Sequence, residues 1–130
     1  MKKTNRIIAA AILSALAFLT GCGNRAEPID LPPDAAVTGI DIVTMAGEEI
    51  TVTEPGKIEA VMSVLRAAEP TRTPSVNDCP TNVTAYGTLS IHDGDRSTVL
   101  YYYEKSGRQY IEQPYRGIYR TEDCPEDLLR

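Results

Sequence analysis

Hydrophobic and polar positions change period several times along this chain, and each change predicts an element. Ile7 to Leu19 is an apolar run interrupted only by Ser14. At about 13 residues it is too short for the roughly 20 that span a bilayer as a helix. Gly39 to Thr44 carries Ile40, Ile42 and Val43, and Glu49 to Thr53 carries Ile50 and Val52 at period two, so both read as strands. Met45-Ala46-Gly47-Glu48 joins them as a hairpin, with Gly47 free to take a positive φ. The period then changes. Ile58, Val61, Met62 and Leu65 stand at i, i+3, i+4 and i+7, one apolar face of a helix. Thr53 is placed to cap it, Glu54 suits the positive end of its dipole and Pro55 is tolerated in its first turn. Glu69 precedes Pro70, which disfavours helical backbone, so the helix ends by about Ala68.

Period two returns later in the chain. Leu89 and Ile91 alternate with Thr88, Ser90 and His92, and Asp93-Gly94-Asp95 is a turn signal. Ser97 to Glu104 puts Val99, Tyr101 and Tyr103 on one face and Leu100 and Tyr102 on the other. Lys105-Ser106-Gly107 turns the chain into a strand over Arg108 to Glu112. Gln113 to Gly117 bends it again, and Ile118 to Thr121 reads as a short last strand. The order is ββαββββ: a single α+β domain with one amphipathic helix on an antiparallel sheet. Thr71 to Asn82 fits neither period and reads as a long polar loop, and there is no internal repeat.

The N-terminus sets the location. Lys2, Lys3 and Arg6 precede the apolar run, as in the charged and apolar regions of a secretory signal. Leu19-Thr20-Gly21-Cys22 closes that run and resembles the lipobox of bacterial lipoproteins. The resemblance implies cleavage before Cys22 and a diacylglyceryl thioether on its sulfur. That would anchor the protein on the extracytoplasmic face of the cell membrane. Two acyl chains hold a protein stably where one holds it marginally. The alternative is a secreted protein with a chance cysteine beside its cleavage site. The organisation is then a signal peptide at 1–21, a tether at 22–37 with Pro28, Pro32 and Pro33, and a folded domain at 38–130.

Charge narrows the partners. The formal charge is −5, and loss of Lys2, Lys3 and Arg6 with the leader takes the mature chain to −8. A domain this acidic does not suit a nucleic-acid backbone, nor a second, electrostatic contact with anionic lipid. Expected partners are the membrane, through Cys22, and an envelope protein, peptide or glycan. Cys79 and Cys124 remain after lipidation, in a compartment where disulfides persist. A bridge between them would close a loop worth about 4 kcal/mol of chain entropy. Two free thiols are the alternative.

The segments Ser75-Val76-Asn77-Asp78 and Tyr110-Ile111-Glu112-Gln113-Pro114-Tyr115-Arg116-Gly117-Ile118-Tyr119 resemble an uncharacterised domain-of-unknown-function family of small Gram-positive bacterial lipoproteins. The resemblance spans roughly Ile40 to Thr121 and implies location and a single domain, without an activity.

Chemistry is sparse. His92 is the only histidine, at a strand end, and reads as a surface residue. Asp93-Gly94-Asp95 lacks the spacing of a calcium loop, so no metal and no cofactor is expected. Neither a phosphate-binding glycine loop nor a serine nucleophile elbow occurs. The tyrosines are the clearer sign: seven Tyr against one Phe and no Trp, six of them between Tyr101 and Tyr119. Tyr beside Arg is the composition of binding surfaces. Tyr102, Arg108, Tyr110, Tyr115 and Arg116 are the candidate contact residues, on the sheet face away from the helix. Cross-strand packing is the other use for tyrosines in strands. Three function classes follow: a lipid-anchored binding module, an inhibitor or immunity-type protein acting through the Thr71–Asn82 loop, and a hydrolase using Asp78 and Glu112.

Overall fold

The computed structural model describes residues 27–130. The signal-peptide cleavage and the lipidation of Cys22 lie outside the described residues. Among the described residues seven strands form one antiparallel sheet: β1 (Gly39–Val43), β2 (Glu49–Val52), β3 (Glu69–Pro70), β4 (Gly87–Asp93), β5 (Arg96–Lys105), β6 (Arg108–Gln113) and β7 (Gly117–Thr121). Their spatial order is β2-β1-β4-β5-β6-β7-β3. The one α-helix among the described residues, α1 (Pro55–Ala67), crosses one face, with Ile58, Val61, Met62 and Leu65 buried as their spacing predicts. The one strand not expected is β3, where Glu69 pairs with Arg120 and Pro70 with Tyr119. Proline fits there because β3 is an edge strand and its outer side needs no N–H donor.

Turn chemistry fixes the register. Ser106 and Gly107 both hold positive φ, 54° and 72°, as the two-residue turn between Lys105 and Arg108 requires. Gly94 (φ 77°) opens the two-residue turn that pairs Asp93 with Arg96. Counting outward from that pair sets Leu89 opposite Leu100 and Gly87 opposite Tyr102. Gly87 makes room at its position: a Cβ there would collide with the far end of the Tyr102 ring.

The helix-side core comprises Ile40, Ile42, Val52, Leu89, Ile91, Leu100, Tyr102, Ile111 and Tyr119 beneath α1. Two irregular segments complete the cover. A C-terminal 3₁₀ turn (Pro125–Leu129) brings Glu126 inward, where it accepts from Tyr102 Oη at 2.7 Å and from the Met45 backbone N–H at 3.1 Å. The N-terminal segment does the same from the other side, and here the expected tether is corrected. From Glu27 onward it is bonded to the domain. The Gln113 side-chain amide accepts from Asp30 N–H at 2.8 Å and donates to Asp30 O at 3.0 Å, a strand-like pair. Arg116 Nε donates to Pro28 O at 2.7 Å, Tyr119 Oη donates to Glu27 O, and Arg66 pairs with Asp34. Sequence alone carries no sign of this, because the strap offers backbone groups whose partners are the side chains of Gln113, Arg116 and Tyr119, 83 to 92 residues away.

The expected disulfide is also corrected. Cys79 and Cys124 are both free. Cys124 lies on the helix side among the groups around Tyr102, and Cys79 lies among those around Tyr101. Tyr101 and Tyr102 are successive residues of β5 and point to opposite faces. The sheet therefore separates the two thiols.

Candidate functional site

The face away from α1 divides into a covered half and an open half. Residues 71–86, leaving β3, fold back across β5, β6 and β7. Thr71 N–H and Oγ1 both donate to Ile118 O, at 2.9 and 2.7 Å. Ser75 Oγ donates to Glu112 Oε1 at 2.6 Å, and Tyr103 Oη reaches Glu112 Oε2 at 3.3 Å. Glu112 is buried and its carboxylate is held by these two hydroxyls. Tyr115 Oη donates to Asp78 Oδ1 at 2.8 Å. The loop is thus clasped to the sheet at three points, by polar contacts. Tyr110 stacks on Tyr103, with ring centroids 5.8 Å apart, beside a shallow depression of about 280 Å³ lined by Thr71, Thr73 and Ile118.

The open half belongs to β1, β2, β4 and the near side of β5. Register aligns Val43, Thr88 and Tyr101 in one row and Asp41, Ser90 and Val99 in the next. Val43, Val99 and Tyr86 are each about two-fifths exposed. Tyr86 meets Tyr101 edge to face, with centroids 5.4 Å apart. Burial, then the neighbouring Cys79, Tyr86, Asp78 and Glu112, raises the Tyr101 hydroxyl pKa, so the ring presents a neutral donor at physiological pH. At the margin Asp41 is held by His92 Nε2 at 2.7 Å and by Thr51 Oγ1 at 2.8 Å. Hydrogen bonds from His92 and then Thr51 lower its carboxyl pKa below the ordinary 3.8. The result is a flat apolar and aromatic strip with a polar edge.

The five residues picked out from the sequence do not make this surface. Tyr102 is corrected outright: it is 1 % exposed, in the helix-side core, and burial with the Glu126 contact pushes its hydroxyl pKa far up. Arg108 and the half-buried Tyr110 lie at the β5–β6 end, while Tyr115 and Arg116 lie at the β6–β7 turn on the opposite end. Arg116 is engaged with Glu27 and Pro28 of the strap. The surface that sequence reasoning missed is built from Val43, Tyr86, Val99 and Tyr101. The signal was present: a two-residue turn after Asp93 pairs Leu89 with Leu100. That sends Tyr102 inward with the leucines and Val99 and Tyr101 outward.

Among the described residues no three His, Cys, Asp or Glu side chains converge as a metal site needs, and no helix is long and apolar enough to cross a membrane.

Comparison with known proteins agrees on the fold and assigns no activity. Residues 25–120 match the family DUF5301, described as a domain of unknown function (DUF5300). That span is well over half of the chain, and the chain belongs to this family. An NMR structure of a protein from Ruminococcus gnavus is similar at 31% sequence identity and a TM-score of 0.67. The match covers 77% of this chain and 97% of that one. No curated protein matches the chain.

Proposed function

We propose that this DUF5301 protein is a lipoprotein, anchored through Cys22 on the extracytoplasmic face of the membrane, and that it acts as a binding module for an envelope protein or peptide. The anchor reading is supported by the basic leader, the short apolar run and the Leu19–Cys22 motif. The binding reading is carried by one observation: the strip formed by Val43, Val99, Tyr86 and the half-buried Tyr101 is open, and no element among the described residues covers it. Flat apolar and aromatic area with a polar rim is the anatomy of a protein contact. Small-molecule chemistry is served by a concave pocket with convergent polar groups.

The other two classes have less support. The Thr71–Asn82 loop is clasped to the sheet instead of projecting as an inhibitory element. Glu112 is buried with both carboxylate oxygens engaged, and Asp78 is bonded to Tyr115.

Crosslinking in intact cells followed by capture from detergent-solubilised membranes tests the reading. A partner captured by the natural protein should be lost with Val99→Asp or Tyr86→Ser and kept with Lys105→Ala, which alters the far hairpin. Equal capture by all three variants removes the strip from the proposal. Membrane attachment that survives Cys22→Ala removes the anchor.

A further inference from the structure

We infer that the β6–β7 turn, with Tyr115 at its tip, is the surface this domain lays on the bilayer, and that the contact is with the uncharged interfacial layer of the lipid. The inference rests on the lipidation of Cys22 proposed above. It is carried by where the strap is fastened.

Cys22 is only five residue steps from Glu27, the first described residue, which is already bonded to the domain. Fully extended they reach about 17 Å, at 3.3–3.6 Å per residue. A domain of this size has a radius of gyration of about 13 Å and is therefore roughly 34 Å across. The tether is half as long as the domain is wide. The end that carries Glu27 must then face the lipid, and the opposite end cannot reach it. Glu27 and Pro28 are fastened to Arg116 and Tyr119, beside the β6–β7 turn. The β5–β6 hairpin, Lys105 to Arg108, is at the far end of the sheet.

The near end carries the side chains this placement calls for. Tyr115 is 68 % exposed and Val76 66 %, the two most exposed large apolar residues among those described. Val76 lies between Ser75 and Asp78, which bond to Glu112 and to Tyr115 itself, so both residues belong to one fastened unit. Tyr115 holds a positive φ of 60°, uncommon for a residue with a side chain. Its ring is displayed, not folded inward. Tyr is the residue that settles at headgroup level, with its ring in the apolar layer and its hydroxyl toward water. The charges nearby are mixed, with Glu27, Asp30 and Asp78 against Arg116. Attraction to anionic headgroups therefore contributes little.

The chain has no tryptophan, so a single one reports its own surroundings. The full mature protein, purified from membranes with its lipid, is placed in phosphatidylcholine vesicles containing lipid brominated near the headgroup. Tyr115→Trp and, independently of the Tyr115–Asp78 bond, Val76→Trp should shift to the blue and lose most of their emission to bromine. Lys105→Trp should keep its emission. Adding phosphatidylglycerol should leave this pattern unchanged. Lipidated protein whose reporters at 115 and 76 are unquenched, or whose reporter at 105 is quenched equally, overturns the inference and leaves the anchor standing. Quenching that appears only with phosphatidylglycerol overturns the uncharged contact. Protein recovered without lipid on Cys22 overturns the anchor and the inference with it.

Discussion

On the helix side of the sheet Tyr102 donates to buried Glu126 at 2.7 Å; on the other side its neighbour Tyr103 reaches buried Glu112 at 3.3 Å. Both hydroxyls are pushed far up in pKa, first by burial. The covers over the two pairs differ in kind. Above Tyr102 lie the C-terminal 3₁₀ turn and an apolar core of Ile, Leu, Val and Met side chains. Above Tyr103 lies an irregular loop of Thr, Asn, Ser and Pro, tied down by hydroxyl and carboxylate contacts. Apolar cover contributes stability in proportion to buried area. Each hydrogen bond contributes only about 0.5–3 kcal/mol net, the upper part of that range for one to a charged group. The helix side should therefore open only with the whole domain, and the loop side should open locally. Surfaces that engage partners are drawn from such low-stability regions.

The largest effect expected from this contrast is at Leu65, which is fully buried under α1. Leu65→Ala should cost about 2–5 kcal/mol by lost transfer energy and a residual cavity. A urea titration reads this as a large fall in midpoint with the slope kept. A cost below about 1 kcal/mol would mean that the helix side is not the source of stability, since core truncations of this kind rarely cost so little.

The next effect separates the two tyrosines. Tyr102→Phe leaves Glu126 buried and short of its closest donor, a loss of about 1–3 kcal/mol. Protection should fall across all strands in native hydrogen exchange. Tyr103→Phe removes a longer contact and leaves Ser75 on Glu112. Its cost should be at the low end, about 0.5–1 kcal/mol, with faster exchange confined to residues 71–86. Equal costs, or global opening from Tyr103→Phe, would break the distinction between the faces.

The same contrast decides what was legible in the sequence. Local chemistry announces itself. The 3.6-residue spacing of Ile58, Val61, Met62 and Leu65 names the buried helix face, and Asp-Gly and Ser-Gly name two hairpins. From those follow the helix, most strand pairings and the α+β class. Three features depend on long-range partners and leave no periodic trace. The strap is held by Gln113, Arg116 and Tyr119. The loop is held by Glu112, which reads in sequence as an ordinary alternating strand residue. The burial of Cys124 with Glu126 follows from a 3₁₀ turn beyond the last strand. Tyr102 stands between these cases. Its alternation with Tyr101 and Tyr103 is visible, but assigning the faces requires carrying the register from the turn at Gly94 through seven residues of β5.

The smallest effect expected is at the polar edge of the open strip. Asp41 is about half exposed and its carboxyl pKa is lowered by hydrogen bonds from His92 and then Thr51. A folded-state pKa below the unfolded one means that the unfolded chain binds the proton more readily. The contribution to stability is therefore present above the ordinary value of 3.8 and is lost as pH falls through it toward the folded value. Because the pair is exposed and screened, its size should be about 0–1 kcal/mol at low salt. Asp41→Asn should lower the urea midpoint slightly at neutral pH. The gap between it and the natural protein should close at pH well below 3.8 and narrow in high salt. Thr51→Val should reproduce part of the gap without removing any charge. A gap that persists unchanged into acid would show that Asp41 acts through its shape alone. The polar edge of the strip would then carry no charge-assisted contact to offer a partner.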